Sequence, residues 1–169
     1  MSRLEHKQQP FSLEPAAPRE LVEGAVEAMR PKLHLPGVHF TLQIPDALPE
    51  VCVDREAMLT VLTNLLDNAL KYTENEKEIS LRVRHQRGHV IFSVEDNGIG
   101  LTRQERRRIF EPFYQCDQKL SRVREGCGLG LSIVRHIIRA HRGEITVTGE
   151  PSKGSAFHVH LPVASNRLT

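Results

Sequence analysis

The sequence of 169 residues predicts an α+β protein, a two-layer α/β sandwich in which three main helices pack on a mixed, mainly antiparallel sheet. Three segments repeat apolar residues at helical spacing, and five alternate apolar and polar residues as strands do. Alternation, in place of continuous apolar runs, is typical of a sheet that is covered on one face only. The length suits one domain with a substantial core.

Prolines and one aspartate define the predicted N-terminal elements. Residues 1–17 are rich in proline and are predicted as the end of a preceding element and a linker, a junction outside the core. A helix of about three turns is predicted from Pro18, a favourable first helical residue, up to Pro31. Residues 38–44 alternate as a strand, and Asp54 is suited to cap the next helix.

The C-terminal half predicts two hairpins and two helices. In order, the elements are a hairpin of strands 79–84 and 90–94, a short helix from Thr102 to Phe110, a mobile surface loop at 111–127, a helix from Leu129 to Arg142, and a closing hairpin of strands 144–148 and 156–161. Thr102 and Glu105 form a capping-box pattern, and Gly143 is placed to stop the last helix. The folded domain is predicted at residues 18–163, with a tail at 164–169.

Composition argues against several function classes. The formal net charge of +2 comes from 23 basic and 21 acidic residues scattered along the chain, so nucleic acid is not expected as a partner. No apolar stretch approaches the ~20 residues of a membrane-spanning helix, and the N-terminus lacks a signal-peptide core, so we expect a cytoplasmic domain. Cys52, Cys116 and Cys127 lack CxxC spacing and are expected to be free thiols.

The segment from Asn64 to Tyr72 combines an apolar face with a narrow polar arc. In a helix, Asn64, Asn68 and Lys71 project within one arc, opposite most of the leucines. Amide oxygens are suitable Mg²⁺ ligands beside a polyphosphate, and a lysine can meet phosphate oxygens as a point charge. A solvated polar face is the alternative interpretation of this segment taken alone.

Two glycine-rich segments indicate close approach to an anionic ligand. The run from Asp96 to Gly100 follows a strand, where a partly buried carboxylate needs a donor such as the adenine amine. An aspartate that caps its own turn would explain this run equally well. The second segment, 126–131, precedes an apolar helix whose N-terminal N–H groups favour anions. The order of all three segments favours a pocket for a magnesium nucleotide.

These segments resemble the motifs of the catalytic and ATP-binding domain of sensor histidine kinases, in the superfamily that includes DNA gyrase, the Hsp90 chaperones and the MutL repair proteins. The similar motifs are the N box at 64–72, the G1 box at 96–100, the F box at 110–113, the G2 box at 126–131 and the last glycine box at 154–157. The resemblance spans roughly residues 10–163 and implies the Bergerat ATP-binding fold.

The resemblance implies ATP and Mg²⁺ as cofactors and a role for each matching residue. Asn68 with Asn64 would ligate Mg²⁺, and Lys71 and Tyr72 would contact the phosphates. Asp96 would bind the adenine amine. The other expected cofactor-binding residues are Gly98, Ile99, Gly100, Phe110, Phe113, Gly126, Gly128, Leu129, Gly130, Leu131 and Ser155. The loop at 114–127 would be the ATP lid.

Two departures from the family pattern fall in or beside this lid. Cys127 stands where the G2 box often has a threonine, and Gln115 stands where some relatives place an arginine that reaches the γ-phosphate. Lys119, Arg122 or Arg124 could supply that charge instead, so both arginines are catalytic candidates.

Asn64 also bears on the choice between phosphoryl transfer and hydrolysis. The hydrolytic members of the superfamily carry a glutamate at this position, and its carboxylate activates water. An amide does not accept a proton at neutral pH. Asn64, also assigned as a catalytic residue, therefore favours transfer to a protein acceptor, with Lys71 beside the phosphates.

The acceptor histidine is expected outside this chain, because none of the nine histidines stands in the family's phosphoacceptor pattern. The expected partners are a histidine-bearing dimerisation domain of the same kinase, to which residues 1–9 could belong, and a response regulator receiver domain. We expect a monomeric isolated domain and a homodimeric parent kinase. The sequence leaves open whether the parent is anchored in the bacterial inner membrane. The alternative functions are an ATPase, a serine kinase of the anti-sigma-factor type, and a non-catalytic nucleotide-gated interaction module.

Two other clusters have simpler explanations. Four arginines crowd residues 103–108, where a solvated helix face or a docking surface is expected in preference to a nucleic-acid contact. His158 and His160 are expected to be a surface or sheet pair, because no third metal ligand is close in sequence.

Overall fold

A five-stranded mixed sheet forms the centre of the fold. The computed structural model describes residues 10–74, 76–114 and 130–165. The strands are β1 (Glu14–Ala16), β2 (Val38–Gln43), β3 (Val51–Val53), β4 (Lys77–Gln86), β5 (His89–Asp96), β6 (Glu144–Gly149) and β7 (Ser155–Pro162). The helices are α1 (Pro18–Leu33), α2 (Arg55–Lys71), α3 (Arg103–Arg108) and α4 (Gly130–Ala140).

The large sheet has one covered face and one open face. Its strand order is β2-β4-β5-β7-β6, with β2 and β4 parallel and the other pairs antiparallel. Core-facing residues such as Leu81, Phe92 and Val159 are fully buried. They belong to one core with the apolar faces of α1, α2 and α4. The predicted two-layer α/β sandwich with a mainly antiparallel sheet is confirmed.

A second, two-stranded sheet lies where the sequence predicts only a junction. β1 pairs antiparallel with β3, and Ala16 is fully buried. Residues 14–16 therefore belong to the folded unit, with Ala16 in its core, which corrects the expectation of a linker at these three positions. The sequence predicts neither strand, because each is three residues long and its partner lies far along the chain.

α1 continues past Pro31 to Leu33, beyond its predicted end. Proline removes one helical N–H and crowds the preceding turn, which normally ends a helix. Here Leu33 is buried in the core, and the N–H of His34 closes on the carbonyl of Arg30 at 3.1 Å. Burial of the last turn outweighs the local preference.

α2 begins at its predicted cap. Asp54 Oδ1 accepts a hydrogen bond from the N–H of Ala57 at 3.0 Å, and Oδ2 accepts one from the N–H of Ser12 at 2.9 Å. These hydrogen bonds, chiefly the one from Ala57, hold the pKa of Asp54 below its usual value. The cap fixes the start of the helix that carries the N box.

The end of α4 differs from the prediction in its left-handed residue. Arg142 has a φ of 61°, its N–H donates to the Arg139 carbonyl at 3.0 Å, and the N–H of Gly143 donates to the Ile138 carbonyl at 2.9 Å. This is a Schellman motif with an arginine where glycine is the usual residue. Gly143 is required for close approach instead, because a Cβ there would lie 2.4 Å from the His160 carbonyl oxygen.

The capping box of α3 is present as predicted. Thr102 Oγ1 accepts from the N–H of Glu105 at 3.1 Å, and the N–H of Thr102 donates to Glu105 Oε2 at 3.4 Å. The predicted surface loop at 111–127 lies outside the described residues from 115 onward. None of the helices within the described ranges combines the length and the apolar character needed to cross a membrane.

Candidate functional site: a nucleotide cleft beside α2

A cleft opens between the C-terminal half of α2 and the adjoining ends of β5 and β7. It encloses about 300 Å³, part of which is open to solvent. The lining residues are Asn68, Tyr72, Asp96, Ile99, Gly100, Leu101, Ile109, Ser155 and Phe157. The cleft therefore joins the predicted N box, G1 box and last glycine box around one mainly apolar space.

Asp96 is the only carboxylate among the described residues that line the cleft, and it accepts three hydrogen bonds from its surroundings. Oδ1 accepts from the N–H groups of Gly98 at 2.8 Å and Ser155 at 3.3 Å, and Oδ2 accepts from Ser155 Oγ at 3.1 Å. Burial raises the pKa of Asp96, although these hydrogen bonds oppose the rise. The carboxylate can accept one more donor from a ligand, since its two oxygens offer about four lone-pair sites.

The glycine turn after Asp96 is held against two other segments. The N–H of Ile99 donates to the Tyr72 carbonyl at 3.1 Å, and the N–H of Ser152 donates to the Ile99 carbonyl at 2.7 Å. A Cβ at Gly98 would lie 2.2 Å from the Tyr72 carbonyl oxygen. Glycine is needed here because backbone meets backbone, which fixes the turn relative to the end of α2.

An aromatic layer supports the far wall of the cleft. The rings of Phe110 and Phe157 pack edge to face with centroids 6.2 Å apart, and only Phe157 lines the cleft. The Arg135 guanidinium lies 5.8 Å from the centre of the Phe110 ring. Together with Ile109, this layer gives the cleft a flat apolar side suited to a planar base.

The polar arc of α2 leads from the cleft towards the start of α4. Asn68 lines the cleft, and Asn64 lies one turn earlier. A Cβ placed on Gly130, the first residue of α4, would lie 3.6 Å from Asn64 Oδ1. The two amides thus face a path from an apolar pocket to a helix N-terminus, where N–H groups favour anionic oxygens.

The sequence matches the protein family described as "Histidine kinase-, DNA gyrase B-, and HSP90-like ATPase" over residues 53–165. The chain belongs to this family. The alginate biosynthesis sensor protein KinB of Pseudomonas aeruginosa is 38% identical over 144 residues, which cover 85% of this chain and 24% of KinB. The adaptive-response sensory kinase SasA of Thermosynechococcus vestitus is 40% identical over 148 residues, which cover 87% of this chain and 38% of SasA.

Solved structures agree with this assignment. Full-length ShkA in complex with AMPPNP superposes with a TM-score of 0.82 at 32% identity, covering 99% of this chain and 34% of ShkA. ThkA in complex with the response regulator protein TrrA shares the fold, with a TM-score of 0.78 at 24% identity over 95% of this chain and 45% of that chain. The chain spans about a quarter to two fifths of the length of KinB and SasA. It is a histidine kinase-type ATP-binding catalytic domain.

Within this kinase domain, Lys71 of the N box forms an ion pair with Asp67, one helical turn earlier. Its Nζ lies 2.9 Å from Asp67 Oδ2, while Lys32 Nζ lies 3.0 Å from Asp67 Oδ1. Burial alone would raise the pKa of Asp67, but the hydrogen bonds from Lys71 and Lys32 outweigh it and hold the pKa below its usual value. Lys71 must leave Asp67, or share it, in order to meet a phosphate.

The other predicted contacts fall into two groups. The structure places Phe113 of the F box at the surface, with 71% of it exposed and a φ of 66°, and it buries the side chain of Leu131 in the core. Neither side chain lines the cleft. The catalytic candidates Arg122 and Arg124, and the cofactor-binding candidates Gly126, Gly128 and Leu129, lie outside the described residues.

Three cleft residues are absent from the sequence-based site: Leu101, Ile109 and Phe157. Each is an apolar residue that the periodicity alone assigns to the core. Their position beside a motif was the available signal, because Leu101 follows the G1 box and Phe157 ends the last glycine box. Apolar base-binding residues carry no chemical signature of their own, so only the tertiary structure separates them from the core.

Proposed function

We propose that this kinase domain binds Mg-ATP in the cleft and transfers the γ-phosphoryl group to a histidine on a dimerisation domain of the same kinase. The observation that carries the proposal is the position of the Asn64 side chain. An amide stands beside the N-terminus of α4, where a hydrolase of this family would hold a carboxylate. Asp96, the carboxylate that lines the cleft, already accepts hydrogen bonds at the opposite, base-binding end.

The cleft sets the orientation of the nucleotide. The adenine amine would donate to Asp96, with the base between Ile99 and the aromatic wall. The polyphosphate would then follow the arc of α2 from Asn68 to Asn64, about 6 Å of helix rise, and reach the N–H groups at the start of α4. The reacting phosphoryl group would lie at the open end of the cleft, where a second protein can approach.

Asn64 and Asn68 would hold the Mg²⁺ that accompanies ATP. Their amide oxygens suit a hard cation that keeps waters and phosphate oxygens in its shell, and within the described ranges no cluster of three or more histidine, cysteine or acidic side chains offers another site. When bound, the ion neutralises charge on the phosphates. The chain's own contribution is positioning: α2 aligns the amides, and the helix N-terminus orients the anionic oxygens.

The partners follow from this chemistry. None of the nine histidines of this chain stands in the family's acceptor pattern, so the attacking imidazole would come from a dimerisation domain. A receiver domain of a response regulator would take the phosphoryl group next, in keeping with the ThkA complex. Because ATP is a cytoplasmic metabolite, we place the domain in the cytoplasm.

The folded domain begins before Pro18, because β1 extends it in the N-terminal direction.

The decisive experiment combines the domain, γ-labelled Mg-ATP and the dimerisation domain of its kinase. Acid-labile, base-stable label on the added domain, lost when its acceptor histidine is replaced by glutamine, supports histidine phosphorylation. Phosphate release without the acceptor would instead indicate an ATPase, acid-stable label a serine kinase, and binding with neither product an interaction module. Asn68→Ala serves as the binding-site variant, since it should abolish Mg-dependent labelling without unfolding the chain.

A further inference from the structure

The open face of the large sheet carries a basic groove at the end remote from the nucleotide cleft. The groove is lined by the turn between β4 and β5, the adjoining part of β7 and the residues just before β6. β5 runs from His89 at the groove to Asp96 at the cleft, a rise of about 24 Å for its length. The groove is therefore separate from the nucleotide site.

The strand register brings the groove residues together on one face. Arg84 pairs with Ile91, Ile91 with His160, and His160 with Glu144, so these four residues form a row across β4, β5, β7 and β6. Ile91 is nearly buried and forms an apolar floor. The two ends of the row carry opposite charges, Arg84 and Glu144, and Ile91 and His160 lie between them.

Two arginines stand at opposite rims of the groove, Arg87 in the β4–β5 turn and Arg142 before β6. Within the described part of the chain neither guanidinium has an ion-pair or hydrogen-bond partner. Burial lowers the pKa of His160, Glu144 opposes the lowering, and His89 and Arg84 add to it, which places a third guanidinium near the groove. Among the described residues that line the groove, Arg87 and Arg142 outnumber Glu144, the one carboxylate, so the groove carries a net positive charge.

The backbone at both rims is unfavourable for an arginine. Arg87 has a φ of 50° and Arg142 a φ of 61°, in the left-handed region that disfavours residues with a Cβ. The first central residue of a hairpin turn of this kind is usually asparagine, aspartate or glycine, and the corresponding residue of a Schellman motif is usually glycine. Strain of this kind that persists at both rims of one groove points to a role in binding.

We propose that this groove binds an acidic segment of a partner protein, with carboxylates that meet Arg87 and Arg142. The two arginines belong to elements separated by about two to three strand spacings, roughly 10–15 Å. An extended peptide with several carboxylates spans that distance, whereas a single small anion does not. Nothing in this proposal depends on nucleotide binding or turnover.

The test uses the whole chain and three probes at low ionic strength, where exposed charges are little screened. A capped ten-residue peptide of alternating glutamate and alanine is compared with the same peptide carrying glutamine and with inorganic phosphate. Amide NMR shifts locate binding, and calorimetry measures affinity. The glutamate peptide should bind at the groove more tightly than either other probe. If the glutamine peptide binds equally, the groove does not recognise acidic segments; if phosphate binds equally, it is a small-anion site.

The variants Arg87→Asn and Arg142→Gly place preferred residue types at the strained positions. Each should weaken peptide binding about two- to five-fold, and the double variant about ten-fold, while the unfolding temperature rises or stays unchanged. Arg103→Asn removes the same charge from an exposed position on α3 and should leave the affinity unchanged. Equal weakening by Arg103→Asn would reduce the effect to net charge and overturn the proposal, as would unchanged binding in the double variant.

Discussion

Asp96→Asn tests the base-binding end of the cleft without removing a hydrogen bond from the fold. The asparagine oxygen can still accept from the N–H groups of Gly98 and Ser155, which lie 2.8 and 3.3 Å from Oδ1. The new amide nitrogen replaces Oδ2, 3.1 Å from Ser155 Oγ, and can donate to that hydroxyl. The two backbone N–H donors therefore keep their acceptor, the hydrogen bond to the Ser155 hydroxyl is kept with its direction reversed, and the variant should fold.

The difference in stability between the unliganded variant and the wild type should depend on pH in a defined direction. Burial raises the pKa of Asp96 in the folded state, with its hydrogen bonds opposing the rise. A raised folded-state pKa means that the stabilising contribution of the protonated carboxyl is fully present below its unfolded pKa and is lost as pH rises through the folded one. At pH 7 the variant should be at least as stable as the wild type, with the difference shrinking below about pH 4.

Nucleotide binding should change by a larger amount. The variant puts an amide donor where we propose that a carboxylate accepts the adenine amine, and the loss of a hydrogen bond to a charged group costs about 1.5–3 kcal/mol. This corresponds to roughly 10- to 150-fold weaker binding of Mg-ATP. Guanine carries an acceptor oxygen where adenine carries its amine, so the variant should also lose most of its preference for ATP over GTP.

Titration calorimetry with both nucleotides at pH 7, together with thermal unfolding, measures these effects. Ser155→Ala is the matched control, because it removes a neighbouring hydroxyl but keeps the Asp96 carboxylate, and it should retain the preference for ATP. If Asp96→Asn binds ATP within about three-fold of wild type and still excludes GTP, the assignment of Asp96 to the base is refuted.

Three further substitutions test other parts of the molecule. Asn64→Glu should raise phosphate release from ATP at least about ten-fold above Asn64→Gln, because only the carboxylate accepts a proton from water; equal rates would contradict the role of the amide. Gly100→Ala should lower the free energy of unfolding in urea by more than ~2 kcal/mol, because its φ is 72° and a Cβ would lie 1.9 Å from the Glu150 carbonyl oxygen. Gly37→Ala, at a φ of 83° in open space, should show only the smaller backbone cost, and similar losses would argue against the close approach. Asp54 has a lowered pKa, so its stabilising contribution is present above its ordinary pKa and lost as pH falls; Asp54→Asn should remove that part of the acid sensitivity in unfolding measured between pH 5 and 2, and an unchanged pH profile would contradict it.

The sequence predicted those parts of the site whose chemistry is local. Asn64 and Asn68 lie on α2 and Tyr72 is its C-cap residue, so their spacing follows from the helical period, and Asp96 ends a strand whose alternation is clear. The cap at Asp54 was also predictable, because a capping aspartate acts within three residues of itself.

Other features depended on partners that the sequence does not place. The ion pair between Asp67 and Lys32 joins α2 to α1, and it limits Lys71 in a way that the N-box motif does not reveal. β1 and β3 are too short for a periodic signal and form because they meet each other. Pro31 remained helical because Leu33 found a place in the core.

By itself the sequence determined the fold class, the helix that presents two amides, and the ordered glycine motifs, because periodicity, capping and turn chemistry act over a few residues. Only the tertiary structure decided which carboxylate is buried in the cleft wall, which lysine forms an ion pair, and which arginines share a groove. Burial and charge pairing depend on which distant segments meet. For that reason the nucleotide cleft was foreseeable from its motifs, while the basic groove of Arg87 and Arg142 became visible only when the strands were aligned.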